Sequence, residues 1–240
     1  MKKKLWLLVK KELLDWLYSF KTYIGLTAYL VLVGYLINLY VSSHNSTNIE
    51  GCLPNLMMLF VLFIPWMCVV SIRKEIKNGA HRLIMQSPTT VFEVMLSKFI
   101  GIYIICLGAL CINAVQFILV RFIGVISFRL LATSLIGYAF LLMPLIALGL
   151  LLASITNNGY LNFSISFITL VLLLLMTYFI EYVPSVIKPV YDYISIFSDM
   201  QDFWILGRVN IHPILHAVSV AALSLYGAYL LLERRWTNEE

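Results

Sequence analysis

The chain has 240 residues, 61% of them apolar and only 12% charged, with a mean hydropathy of +0.91. Soluble domains run near ~45–50% apolar and ~25% charged, so composition excludes a cytosolic enzyme, a disordered protein and a nucleic-acid binder. The formal net charge of +5 is not a polyanion footprint either, because the basic residues gather at the ends of apolar stretches, as membrane topology requires.

Segment 1–22 reads as an amphipathic helix. Trp6, Val9, Leu13, Trp16, Leu17 and Phe20 recur at helical spacing on one side, while Lys3, Lys4, Lys10, Lys11 and Asp15 lie largely elsewhere. Tryptophans over a lysine-rich face suit a helix lying in the headgroup layer; the alternative is a cytoplasmic extension of the first span. The apolar run 5–9 is too short for a signal peptide.

Charge-free intervals follow at 22–49 (interrupted only by His44), 51–72, 99–120, 130–180 and 209–232. Roughly 20 helical residues cross a ~30 Å hydrocarbon core. The 51-residue interval 130–180 is too long for one crossing and must turn back at its polar patch, Ser154-Ile155-Thr156-Asn157-Asn158-Gly159. Six spans result, at about 23–41, 55–72, 99–120, 130–153, 162–180 and 213–232. The expected fold class is an all-α integral membrane protein, with an N-terminal interfacial helix (1–22) preceding a six-helix transmembrane domain (23–240).

The loop 73–98 is the most charged interior segment. Ile76, Ala80, Leu83 and Ile84 form an apolar stripe opposite Lys74, Asn78, His81 and Arg82. Pro88 disfavours helical geometry at Ser87 and so ends this helix. Thr90-Val91-Phe92-Glu93 is a capping box that starts another, with Lys98 closing the cytoplasmic part. The pattern fits a docking platform for a cytosolic partner, or a solvated turn anchored by Lys and Arg.

Farther on, 182–208 is too polar to span yet rich in aromatics, among them Tyr193, Phe197, Phe203 and Trp204, with Glu181, Asp192, Asp199 and Asp202 against Lys188 and Arg208. It reads as a gate over the outer end or as an interfacial aromatic belt. His212 and His216 share a helix face, but no third ligand lies near in sequence, and packing at a helix start accounts for them. Cys52, Cys68, Cys106 and Cys111 show neither a disulfide framework nor zinc spacing.

Thirteen Lys and Arg fall on the side of the N-terminus, the 73–98 loop and the C-terminus, against Arg121, Arg129, Lys188 and Arg208 on the other. The positive-inside rule places both termini in the cytoplasm. The six spans hold no Asp, Glu, Lys or Arg, which argues against an ion-driven carrier. No phosphate-binding glycine loop, nucleophile elbow or metalloprotease motif occurs. No catalytic or metal site is expected.

The run Arg73-Lys74-Glu75-Ile76-Lys77-Asn78-Gly79-Ala80, then Ser87-Pro88 and Lys98, resembles the E-x-x-x-G…S-P…K signature of type-2 ABC exporter permeases. The nearest branch is the small six-span kind that includes gliding-motility and nitrous-oxide-cluster permeases. Lys11-Glu12-Leu13 with Ser19 and Tyr23, the Ser154–Asn158 turn, and Phe203 and Gly207 followed by Leu232-Glu233-Arg234-Arg235-Trp236 resemble further segments of that family in order. Ala80 departs from the usual Thr, so no role for that hydroxyl carries over.

The resemblance implies a permease subunit that forms the substrate path as a homo- or heterodimer. A separate cytosolic ABC ATPase, which binds the ATP and magnesium, would drive it by docking on a coupling helix at 73–87. Lys74, Glu75, Lys77, Gly79, Arg82, Ser87 and Pro88 are then the coupling residues, Lys11, Glu12 and Trp16 those of the interfacial helix, and Tyr193, Phe197, Phe203 and Trp204 an extracellular lid. The chain itself would hold no cofactor and have no enzymatic activity. Its setting would be a bacterial plasma membrane, its partners the bilayer and not nucleic acid, and its substrate an amphipathic or hydrophobic peptide antibiotic, drug or lipid. A non-transporting scaffold or sensor subunit of an ATPase complex is the alternative.

Overall fold

In lipid every backbone polar group must be paired within the protein, which leaves an apolar chain of this kind the helix as its repeating element. A computed structural model describes residues 2–44, 50–77, 90–120, 127–156, 158–179, 195–200, 203 and 207–238, and these residues form helices and no strand. In chain order they are α1 (Lys2–Leu17), α2 (Phe20–His44), a 3-10 turn (Glu50–Asn55), α3 (Leu56–Lys77), α4 (Val91–Val120), α5 (Phe128–Ala153), α6 (Gly159–Phe179), the short α7 (Ile196–Asp199) and α8 (Ile211–Asn238). Six of them, α2 to α6 and α8, are long and apolar enough to cross a bilayer. The chain is a multi-pass membrane protein of the six-span kind expected from its charge-free intervals.

α5 is the hub, packed against α3, α4, α6 and α8. Tyr138, Leu141, Leu142, Leu145, Ile146 and Leu150 on it are wholly buried. α8 makes the most extensive contact with α5, and its buried side chains explain how. Ala217, Ala221, Ser224 and Ala228 are all small and recur at helical spacing, so the two backbones approach closely without the hydrophobic drive that water supplies. Two hydrogen bonds between buried polar groups tie helices together: the Tyr138 hydroxyl donates to Leu53 O, and Asn113 Nδ2 donates to Tyr29 Oη at 2.6 Å.

The sequence places a capping box at Thr90, and it forms reciprocally. Thr90 N–H donates to Glu93 Oε2 and Glu93 N–H to Thr90 Oγ1, each at 3.2 Å. α4 therefore starts well before the apolar stretch that begins at Phe99. On the other side of the loop, α3 continues unbroken through Arg73 and Lys74 to Lys77, so these residues extend the second span rather than open a separate helix. Gly79, Arg82, Ser87 and Pro88 lie outside the described residues.

Two expectations change in detail. The apolar stripe of α1 is divided: Val9 and Trp16 are buried, whereas Trp6 is 65% exposed and Leu17 also faces outward, and Glu12 is buried as Trp16 is. The chain breaks at Tyr18–Ser19, and Phe20 already belongs to α2. In the aromatic segment, Phe197 and Phe203 are wholly buried, so these two side chains are core and not part of a belt facing headgroups. Tyr193 and Trp204 lie outside the described residues.

Candidate functional site

Six chain segments converge at one end of the bundle: α1, the start of α2, the end of α3, the start of α4, the turn between α5 and α6, and the end of α8. At its centre is Lys98, a side chain only 1% exposed. An ammonium has three protons to donate, and here each has an acceptor: Glu12 Oε1 at 2.8 Å, Ser71 O at 3.1 Å and Ser71 Oγ at 3.3 Å. One charge therefore fastens α1, α3 and α4 together. α1 crosses α4 closely here, since a Cβ on Gly101 would sit 3.2 Å from Glu12 Cβ. Trp16 meets Trp66 of α3 edge to face, ring centroids 6.3 Å apart.

Lys74 forms a second link between α3 and α1, to Asp15 at 2.9 Å. Both side chains are well exposed, so this pair contributes little beside the buried one. Lys11 is exposed on α1. Glu75 and Lys77 occupy the last turns of α3.

The 154–159 turn is built around Asn162. Its Oδ1 accepts from Thr156 Oγ1 at 2.6 Å and from Thr156 N–H at 3.1 Å, and its Nδ2 donates to Ala153 O and Thr156 O at 2.6 and 2.7 Å. The turn has no basic residue of its own, yet two are brought to it. Arg235 at the end of α8 donates to Ser154 O at 2.9 Å, and the Arg73 guanidinium lies over the Tyr160 ring, 5.5 Å from its centroid. Gly159 makes room for Arg73: a Cβ there would fall 2.5 Å from its Nη1. This turn thus lies on the basic side in space.

Toward the other end, Phe203 covers α5 where Gly137 leaves space; a Cβ on Gly137 would meet Phe203 Cβ at 2.6 Å. Gly207 takes the left-handed conformation (φ 62°) that glycine enters without strain, and its carbonyl accepts from Arg129 at 3.5 Å.

Among the sequence-derived residues, then, Glu12, Trp16 and Lys74 come together around the α1–α3–α4 junction, and Phe197 and Phe203 lie in the core of the other end. Asn162 and the partnership of Glu12 with Lys98 were not singled out from sequence. A signal for the second exists: Lys98 stands alone among Met95, Leu96, Phe99 and Ile100 in a continuous helix, where a lysine needs an anion. Among the described residues no three side chains of metal-ligating type converge. No protein-family model matches the chain, and no characterised protein matches it in sequence. The likeness to exporter permeases rests on the motifs themselves.

Proposed function

We propose that this chain is the membrane-spanning permease subunit of an ATP-driven exporter, acting as a dimer and powered by a separate cytosolic ATPase docked on the segment that follows α3. The observation that carries the reading is the Lys98 junction. The two helices that flank the 78–89 segment, α3 and α4, are fastened to each other and to α1 by one buried charge, so a push on that segment would move three helices together. Glu75 would pair with a basic residue of the ATPase, and Gly79 would permit close approach. The six spans read from the sequence hold no Asp, Glu, Lys or Arg, with Lys98 just outside them, and no nucleotide-binding motif occurs, which supports an energy source outside the chain. The excess of basic residues at this end supports a cytoplasmic location for it, and the resemblance to exporter permeases supports a bacterial plasma membrane as the setting.

The test is a detergent pull-down of the tagged chain from its native membrane, with mass spectrometry of co-purifying proteins. A stoichiometric ATPase is expected, and its nucleotide hydrolysis should be stimulated by the chain. Glu75→Lys and Gly79→Trp should remove that stimulation while leaving membrane insertion intact. A folded chain that emerges alone, or two variants with full stimulation, would overturn the docking assignment.

A further inference from the structure

A groove runs down the side of the bundle between α2 on one flank and α3 with α6 on the other. At the basic end it widens to about 620 Å³, lined by Lys21, Arg73, Lys74, Asp15 and Tyr160 among others. Past Lys21, which lines both parts, it continues as an apolar channel of about 380 Å³ walled by Ile24, Leu62, Trp66 and Phe163. Charge at the wide end is unbalanced. The two carboxylates that line it are already engaged, Asp15 with Lys74 and Glu12 with Lys98. Among the described residues no carboxylate forms an ion pair with Lys21 or Arg73. From Arg73 back to Leu62 along α3 the groove is about 16 Å long at ~1.5 Å per residue, half of a ~30 Å hydrocarbon core. It is therefore one leaflet deep, with two cations at headgroup height.

We propose that this groove is a binding site for an anionic phospholipid of the leaflet at the basic end. The phosphate lies between Lys21 and Arg73, and an acyl chain runs along Ile24, Leu62 and Trp66. Charge decides against a second copy of this chain as the occupant, because the same basic end would face its like across the groove. The site requires only that the chain span a bilayer and stands apart from the exporter reading.

Trp66 makes the site observable. The full chain is reconstituted in phosphatidylcholine containing a minor share of either phosphatidylglycerol or phosphatidylcholine brominated at mid-chain. Quenching of the Trp66 contribution is read as the difference between the native chain and Trp66→Phe. Each basic side chain near a membrane surface strengthens attraction to anionic lipid by a factor of about five, so brominated phosphatidylglycerol should act at a mole fraction roughly tenfold lower or less than brominated phosphatidylcholine. Lys21→Gln with Arg73→Gln should erase the preference while the chain keeps a cooperative thermal transition. High salt should weaken it in the native chain without any substitution. Equal quenching by the two lipids would reduce the groove to ordinary lipid contact and overturn the proposal. Absence of Trp66 quenching by either lipid would overturn it too, in favour of a second copy closing the groove.

Discussion

α2 and α3 are consecutive helices of similar length, 25 and 22 residues, and similarly apolar. Gly25 lies against Trp66, and Tyr40 against Gly51, so they run antiparallel. Yet only 17% of the most apolar stretch of α2 is buried inside the protein, against 65% of that of α3 with its preceding turn. α2 touches the bundle along one seam, Thr22, Tyr29, Val33 and Ile37, and leaves the groove beside it. α3 is enclosed by α5, α6 and α4 and pinned at its end by Lys98. Hydropathy records that a helix can face lipid, and it does not record whether it does. What separates the two is where small residues admit a neighbour and where polar groups demand one.

The largest effect is expected at that pin. Lys98→Met leaves the Glu12 carboxylate half of the buried pair without its counter-charge, and breaking such a pair costs about 3–5 kcal/mol. The melting temperature of the purified chain in detergent should fall sharply, and α1 should become accessible to protease. Replacing both partners, Glu12→Leu with Lys98→Met, should recover most of the loss, because an apolar pair of similar volume is often as stable as the ions it replaces. If the double variant melts as low as Lys98→Met, the pair is not what holds α1 to α3 and α4.

A smaller loss is expected where α3 meets α5. A Cβ at Gly149 would sit 2.8 Å from Cys68 Sγ and 3.4 Å from Ile64 Cγ2, with Cys68 itself fully buried and directed at Ile146 O, 3.6 Å away. Gly149→Leu overpacks this contact and should lower stability by about 1–3 kcal/mol, again read as a melting temperature. Cys68→Ala in the same chain should restore part of it by returning the space.

Much of this architecture is legible in the sequence. Span number, the 154–159 turn and the Thr90 capping box follow from interval lengths, a run of Ser, Thr, Asn and Gly, and a Thr-x-x-Glu pattern, all of them local signals. The packing that matters for function is not local. Glu12 reads as one of several polar residues on a lysine-rich helix, and Lys98 as a loop-end cation; only tertiary contact across 86 positions turns them into a buried junction. Phe197 and Phe203 fail to read as core for the same reason, since their aromatic, acid-rich surroundings resemble an interface and the space Phe203 fills is made by Gly137 on another helix. Asn162 sits among apolar residues of a span, and its four bonds to a turn nine residues or fewer away become visible only once the turn direction is known.

The smallest effect sharpens the contrast between the two helices. Gly34 is at the middle of α2, and a Cβ built on it meets no atom within 4 Å. Leucine there would project away from the protein into lipid, where it displaces nothing. Intrinsic helix preference favours leucine over glycine by somewhat under ~1 kcal/mol, and a substitution away from any packed feature normally stays within about 0.5 kcal/mol. Gly34→Leu should therefore leave the melting temperature unchanged or slightly raised, whereas the same exchange at Gly149 lowers it. The pair of variants has identical chemistry and differs only in what surrounds the glycine, so it isolates packing from propensity. A fall at Gly34 matching that at Gly149 would mean that protein, and not lipid, covers the outer face of α2. It would also make a dimer seam along this helix the first surface to map.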